Sequence, residues 1–234
     1  LSVGNEPVII QNADVELKKI FENNSKALPN FETFTIKNTV TNILNEQKDY
    51  ENLNYVPHAL SPEDKIESRD FLKIGTAYHS VMQNLNFDEN KAQISGLIDK
   101  LVRENVIDQV SATQIDIDSI CKAIEVLSPI VLNADKKYTE KQFIMQENYN
   151  KIVKNSDNNT KVIVQGVIDL VVVKDGQVCL IDYKTNRTKD EMYLKKTYAL
   201  QLEIYKQAFE KATNTLVDKK YLYSFFLGKL IEID

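Results

Sequence analysis

The 234-residue chain has only two cysteines, Cys121 and Cys179. Two thiols cannot supply the four ligands of an iron–sulfur cluster, so none is expected. Each cysteine falls in an apolar pattern and reads as a reduced core residue, which fits a cytoplasmic protein. Long apolar runs are also missing: nothing approaches the roughly 20 residues that cross a bilayer. No charged-then-apolar start marks a secretory leader, and no membrane partner is expected. The phosphate-cradling pattern Gly-x-x-x-x-Gly-Lys-[Ser/Thr] is absent, so this stretch carries no P-loop motor. A net charge of −5 argues against wholesale coating of nucleic acid. It leaves a local basic groove open, because counterion release depends only on the cations that meet phosphates. The chain begins at Leu1 and reads as a piece of something longer. With 43% hydrophobic and 27% charged residues it can bury a large core, as one domain with a helical elaboration or as two small domains.

What is present is organised around Gly166–Lys184. Val162 to Val173 and Val178 to Lys184 are dense in β-branched residues, and Asp175-Gly176 between them is a strong hairpin signal. A two-residue loop pairs Lys174 with Gln177, and counting back sets Asp169 opposite Asp182. Directly opposed side chains share a sheet face with Cβ atoms about 5 Å apart. Lys184 joins that face because strand side chains alternate, with Val167, Val171 and Leu180 as expected neighbours. Two opposed carboxylates in an apolar strand centre repel each other and lose hydration. A divalent cation bridging them removes both penalties, and hard oxygen ligands suit Mg²⁺ or Mn²⁺. Lys184 would then orient or deprotonate an attacking water, or stabilise charge on phosphate oxygens. The bland alternative is a salt bridge between Lys184 and one Asp at a strand end, which leaves the second acid unexplained.

Elsewhere the pattern predicts helices over Asp14–Asn23, Thr35–Glu46, Glu67–Leu85, Lys91–Val106, Ile117–Asn133 and Thr197–Ala212. Strands are expected over Tyr138–Tyr149, Tyr221–Leu227 and Leu230–Ile233. His58 lies in a Pro-flanked loop and receives no role. His79 sits on an apolar helical stripe one turn after Gly75, and a helical glycine points to a close approach at that level. Gln201 and Tyr205 are i,i+4 partners, so both polar tips can aim at one site. Arg187, Lys189, Lys195 and Lys196 form either a phosphate-attracting rim or an ordinary solvated loop.

Gly166-Val-Ile-Asp169, then Asp182-Tyr-Lys184-Thr, then Tyr198-Ala-Leu-Gln201-Leu-Glu-Ile-Tyr205 resembles the PD-(D/E)XK nucleases. More narrowly, it resembles the nuclease domain of RecB- and AddA-type helicase–nucleases. Gly75-Thr-Ala-Tyr-His79 is similar to that family's Gly-x-x-x-His helix, and Glu140-Lys-Gln-Phe143 to its acidic strand segment. The resemblance covers roughly residues 70–212. It implies an α/β fold, a restriction-endonuclease-like mixed sheet flanked by helices, with an N-terminal helical elaboration. Residues 1–66 would be a linker or helical segment and 67–234 the nuclease domain, helical over 67–133 with the catalytic sheet core at 138–234. His79, Asp169, Asp182 and the Tyr183 backbone carbonyl would bind Mg²⁺, or Mn²⁺. Lys184 would assist the attacking water, with Gln201 and Tyr205 supporting the site or the strand. The implied activity is metal-dependent, exonuclease-type hydrolysis of DNA, single-stranded, in end resection and recombination repair. The implied partners are a helicase motor in the same parent chain and a second helicase–nuclease subunit. Relatives with a four-cysteine cluster differ from this chain, which places it on the AddA-like side. The rival reading is a catalytically silent nuclease-like module used for DNA binding or assembly.

Overall fold

The computed structural model describes residues 37–40, 42–43, 62–153 and 156–234. The expected Asp14–Asn23 helix and the His58 loop lie outside them. In chain order the elements are β1 (Lys37–Thr39), α1 (Pro62–Gln83), α2 (Lys91–Arg103), α3 (Gln109–Thr113), α4 (Ile117–Val131), β2 (Lys136–Asn148), α5 (Tyr149–Ile152), β3 (Lys161–Lys174), β4 (Gln177–Lys184), α6 (Glu191–Thr213), β5 (Lys219–Ser224) and β6 (Lys229–Ile233). Among the described residues no helix is long and apolar enough to cross a membrane.

The Asp175-Gly176 turn behaves as its sequence dictates. Both residues take positive φ (50° and 79°), the backbone twist that suits a two-residue hairpin. Lys174 pairs with Gln177, and the antiparallel ladder runs back to Leu170–Ile181. There it stops. β4 continues beside β5 instead, in parallel register from Cys179–Lys219 to Lys184–Ser224. The other edge of β3 is covered along almost its whole length by antiparallel β2, from Lys136–Val173 to Asn148–Lys161. β1 pairs in parallel with residues 163–165 of β3, on the same edge as β4. Between β1 and β4, residues 166–169 of β3 have no strand beside them on that edge among the described residues. The site opens in this gap.

The expected helix over Thr35–Glu46 is corrected at its start: Lys37–Thr39 is a strand, with Val40, Asn42 and Ile43 helical after it. Ladder hydrogen bonds to β3 override the helical spacing, although Val40 and Ile43 are buried as that spacing required. α6 also begins earlier than expected, at Glu191, with the Asp190 side chain accepting a hydrogen bond from the Tyr193 amide as N-cap. Lys195 and Lys196 therefore sit on a helix, not in a loop. The five residues of α3 are too few to show a period, and the sequence gives no sign of them.

Two apolar layers sandwich the sheet. On one face Val171, Leu180 and Leu222 pack against Leu194, Leu202 and Phe209 of α6. On the other, Leu170, Val172, Ile181 and Tyr223 pack against the α1–α4 layer through residues such as Val81, Ile94, Ile120 and Leu127. β3 changes its alternation on the way. Val162, Val164 and Ile168 belong to the α6 side, whereas Leu170 and Val172 belong to the opposite side. The break falls at Asp169. Opposite it, Glu140 has φ +48°, and only its flanking residues, Thr139 with Leu170 and Lys141 with Ile168, are paired. A non-glycine residue in this region stores about 1–3 kcal/mol of strain, and such positions cluster at functional sites.

Candidate active site

Where the β3–β4 ladder ends, side chains replace it. The Tyr183 amide donates to Asp169 Oδ2 at 2.7 Å, so the buried carboxylate takes over a ladder bond. Asp169 Oδ1 then faces His79 Nδ1 at 3.3 Å. His79 also lies 3.9 Å from Glu140 Oε1. Ligand atoms of His79, Glu140 and Asp169 all fall within 4.8 Å of one another. α1 delivers His79 from the helical layer, and Gly75 explains how it comes so close: a Cβ there would lie 3.3 Å from Thr185 Oγ1.

Asp182 is 1% exposed and Asp169 6%. Lys184 Nζ stands 2.6 Å from Asp182 Oδ2, so the salt bridge of the bland alternative does exist. It leaves Asp169 to the histidine. Asp182 Oδ1 accepts from Gln201 Nε2 at 3.1 Å, and the same amide nitrogen lies 2.7 Å from Tyr205 Oη. One turn earlier on α6, the Tyr198 ring lies under the Lys184 ammonium, 4.5 Å from centroid to Nζ. The Tyr198 hydroxyl donates to Asn186 Oδ1 at 2.7 Å. Tyr198, Gln201 and Tyr205 thus form one stripe of α6 facing the Asp182–Lys184 pair.

Burial pushes the Asp182 carboxyl up to about 6, with the neighbouring Asp169 charge adding to the rise and Lys184 opposing it. For His79 burial alone would lower the pKa, but its contact with Asp169 and the charges of Asp169 and Asp182 raise it above 6.5. Burial acts on Lys184 in the same downward sense and is outweighed by Asp182 and Asp169, so the ammonium stays charged at neutral pH. Glu140 is raised by burial and by the Asp169 charge. This is the electrostatic profile of a surplus of negative charge. Three carboxylates (Asp169, Asp182 and Glu140) and an imidazole make a hard, mostly oxygen donor set that fits a divalent cation.

Every site residue expected from the sequence is drawn to one place: His79, Asp169, Asp182, Lys184, Gln201 and Tyr205 line a single cavity of about 1630 Å³. Tyr183 joins them through its backbone, its ring being buried beneath. Of the four cations past the hairpin, Arg187 lines the cavity. Val171 and Leu180 are buried beside the acids as expected, whereas Val167 lines the cavity wall. Two members of the site carry little signal in the sequence. Glu140 reads there only as part of an acidic strand segment, and Tyr198 only as the first residue of the Tyr198–Tyr205 motif, with no role of its own.

Residues 52–230 match the family model of the PD-(D/E)XK nuclease superfamily. The chain is 36% identical over 174 residues to an ATP-dependent helicase/nuclease subunit from Clostridium acetobutylicum, covering 68% of this chain and 14% of that protein. The protein of the same name from Ruminiclostridium cellulolyticum is 30% identical over 200 residues, 81% of this chain and 16% of the relative. The one from Staphylococcus epidermidis is 37% identical over 177 residues, 69% and 14%. The chain therefore spans about one seventh of the curated relatives it matches. A hairpin whose acids leave the ladder to meet a lysine and a helix-borne histidine is what the matched family model covers, and the chain belongs to the PD-(D/E)XK nuclease superfamily.

Proposed function

We propose that this chain is the nuclease domain of a helicase–nuclease and hydrolyses DNA phosphodiester bonds with a divalent cation, Mg²⁺ or Mn²⁺. The observation that carries the reading is the meeting of the His79–Asp169 contact and the Asp182–Lys184 pair on the floor of one cavity. His79, Asp169, Asp182 and the Tyr183 carbonyl hold the cation, and Glu140 stands beside them as a further carboxylate. Such an ion polarises a phosphate and lowers the pKa of bound water. Lys184 keeps its ammonium close to the phosphate oxygens, where it offsets charge that grows as the bond breaks. Tyr198 supports that ammonium from below, and Gln201 fixes the Asp182 carboxylate while leaning on Tyr205. Because these groups address a phosphate common to every sequence, little base preference comes from them.

The nuclease domain comprises residues 67–234 together with β1 and the buried Val40 and Ile43 beside it. The ATP-driven motor belongs to the rest of a parent chain like those of the relatives, and its partner is a second helicase–nuclease subunit. The setting is the cytoplasm, and the task is exonuclease-type resection of single strands during recombination repair. The test is incubation of the protein with linear single-stranded DNA and Mg²⁺ or Mn²⁺, with and without EDTA. Degradation that EDTA abolishes is expected. Metal bound without any cleavage, even after the rest of the helicase–nuclease is supplied, would contradict the reading.

A further inference from the structure

Three large apolar side chains stand in water on the lip of the acid-floored cavity. Leu72 on α1 is 72% exposed, Ile144 on β2 is 74% exposed, and Phe226 in the β5–β6 turn is 47% exposed. They come from three separate elements, and all three line the same cavity as Asp169, Asp182 and Lys184. Exposed apolar residues scattered singly need no explanation, whereas several gathered at one site mark a binding surface. The cavity, at about 1630 Å³, is also larger than the 300–1,000 Å³ of a typical small-molecule pocket and has room for a stretch of polymer.

The floor and the lip ask for different chemistry. With a divalent cation on the acids, the floor and wall, which include Lys184 and Arg187, would favour phosphate, and the lip favours flat apolar faces. A nucleic acid strand with unpaired bases offers both, in alternation along its length. A duplex does not: its bases are stacked on each other and show only their edges in the grooves. An apolar peptide segment would satisfy the lip and leave the charged floor unmatched. Building on the nuclease reading above, we propose that Leu72, Ile144 and Phe226 form a base-stacking rim, on which the unpaired nucleotides flanking the scissile phosphate rest. Stacking of this kind tolerates any sequence, because every base has a π-face. The rim therefore recognises strandedness without recognising sequence.

The test compares two labelled strands of about 12 nucleotides, a length within the span of single-strand grooves. One is oligothymidylate, and the other is an abasic strand with the same backbone charge. Binding is followed by fluorescence anisotropy with Ca²⁺ as the cation. The parent protein is expected to prefer the thymidine strand by about tenfold or more, since loss of stacking on one aromatic ring, here Phe226, costs about 5- to 100-fold in affinity, with Leu72 and Ile144 adding apolar contact to the base faces. Leu72→Ser, Ile144→Ser and Phe226→Ser combined should erase that preference while leaving affinity for the abasic strand unchanged. All three side chains are exposed, so circular dichroism and melting should match the parent. Equal binding of the two strands by the parent, or a preference surviving in the triple variant, would overturn the rim and leave the nuclease reading intact. Binding of neither strand by the parent would overturn both.

Discussion

Asp182 and His79 both carry protons more readily in the fold than in water, the first because it is buried and the second because of Asp169. A cation must displace those protons. Metal affinity should fall as pH drops, first as His79 takes its proton above 6.5 and again through about 6 as Asp182 does, steepening towards a hundredfold per unit once both groups are protonated. Calorimetric titration with Mn²⁺ between pH 5 and 8 checks it; a flat profile would remove these groups from the ligand set. Tyr198 acts through Lys184 and touches no ligand. Tyr198→Leu should slow cleavage about tenfold, the scale of a desolvated cation–π contact, with Mn²⁺ affinity unchanged. Tyr198→Phe keeps the ring face and should keep the rate. Equal losses in both variants would shift the role to the hydroxyl and its bond to Asn186. The sequence makes Asp169, Asp182 and Lys184 legible because a two-residue turn fixes register by counting. Glu140 and Tyr198 are harder, since a positive φ and a ring placed under an ammonium are set by tertiary packing.

At the scale of elements, β3 carries the most constraint. A Cβ on Gly166 would lie 2.7 Å from Phe143 Cζ and 2.9 Å from Val40 Cγ2. Gly166→Ala should therefore cost about 1–3 kcal/mol, as overpacking does. It should also disturb the joint between β1, β2 and β3 next to the site. Chemical denaturation should show an earlier midpoint; an unchanged midpoint would mean that Phe143 swings away freely. Most elements are readable from period and turn chemistry: the hairpin, the amphipathic α2 and α4, and the closing pair β5–β6 around Gly228 at φ +60°. β1 is not. Three residues in parallel pairing carry no period of their own, and the helical spacing of Val40 and Ile43 just after them runs on from them without a break in the sequence. The departure of β4 from β3 at Asp182 is equally hidden, because nothing in Val178–Lys184 says that β5 will take over as partner.

At the scale of the molecule, the sheet splits its labour between two helical layers. α6 supplies Tyr198, Gln201 and Tyr205 from one side, and α1 supplies His79 from the other, beside the gap where, among the described residues, 166–169 have no strand on the β4 edge. The central claim is that acids and histidine hold the cation while Lys184 serves the reaction beside it. It is tested most directly by measuring cleavage of linear single-stranded DNA and Mn²⁺ binding together in Asp169→Asn and Lys184→Ala. Asp169→Asn should lose both binding and cleavage. Lys184→Ala should keep Mn²⁺ affinity within a few-fold and still lose cleavage by about a hundredfold or more, the scale of removing one group that stabilises developing charge. Cleavage surviving in Lys184→Ala, or undiminished Mn²⁺ binding in Asp169→Asn, would contradict it.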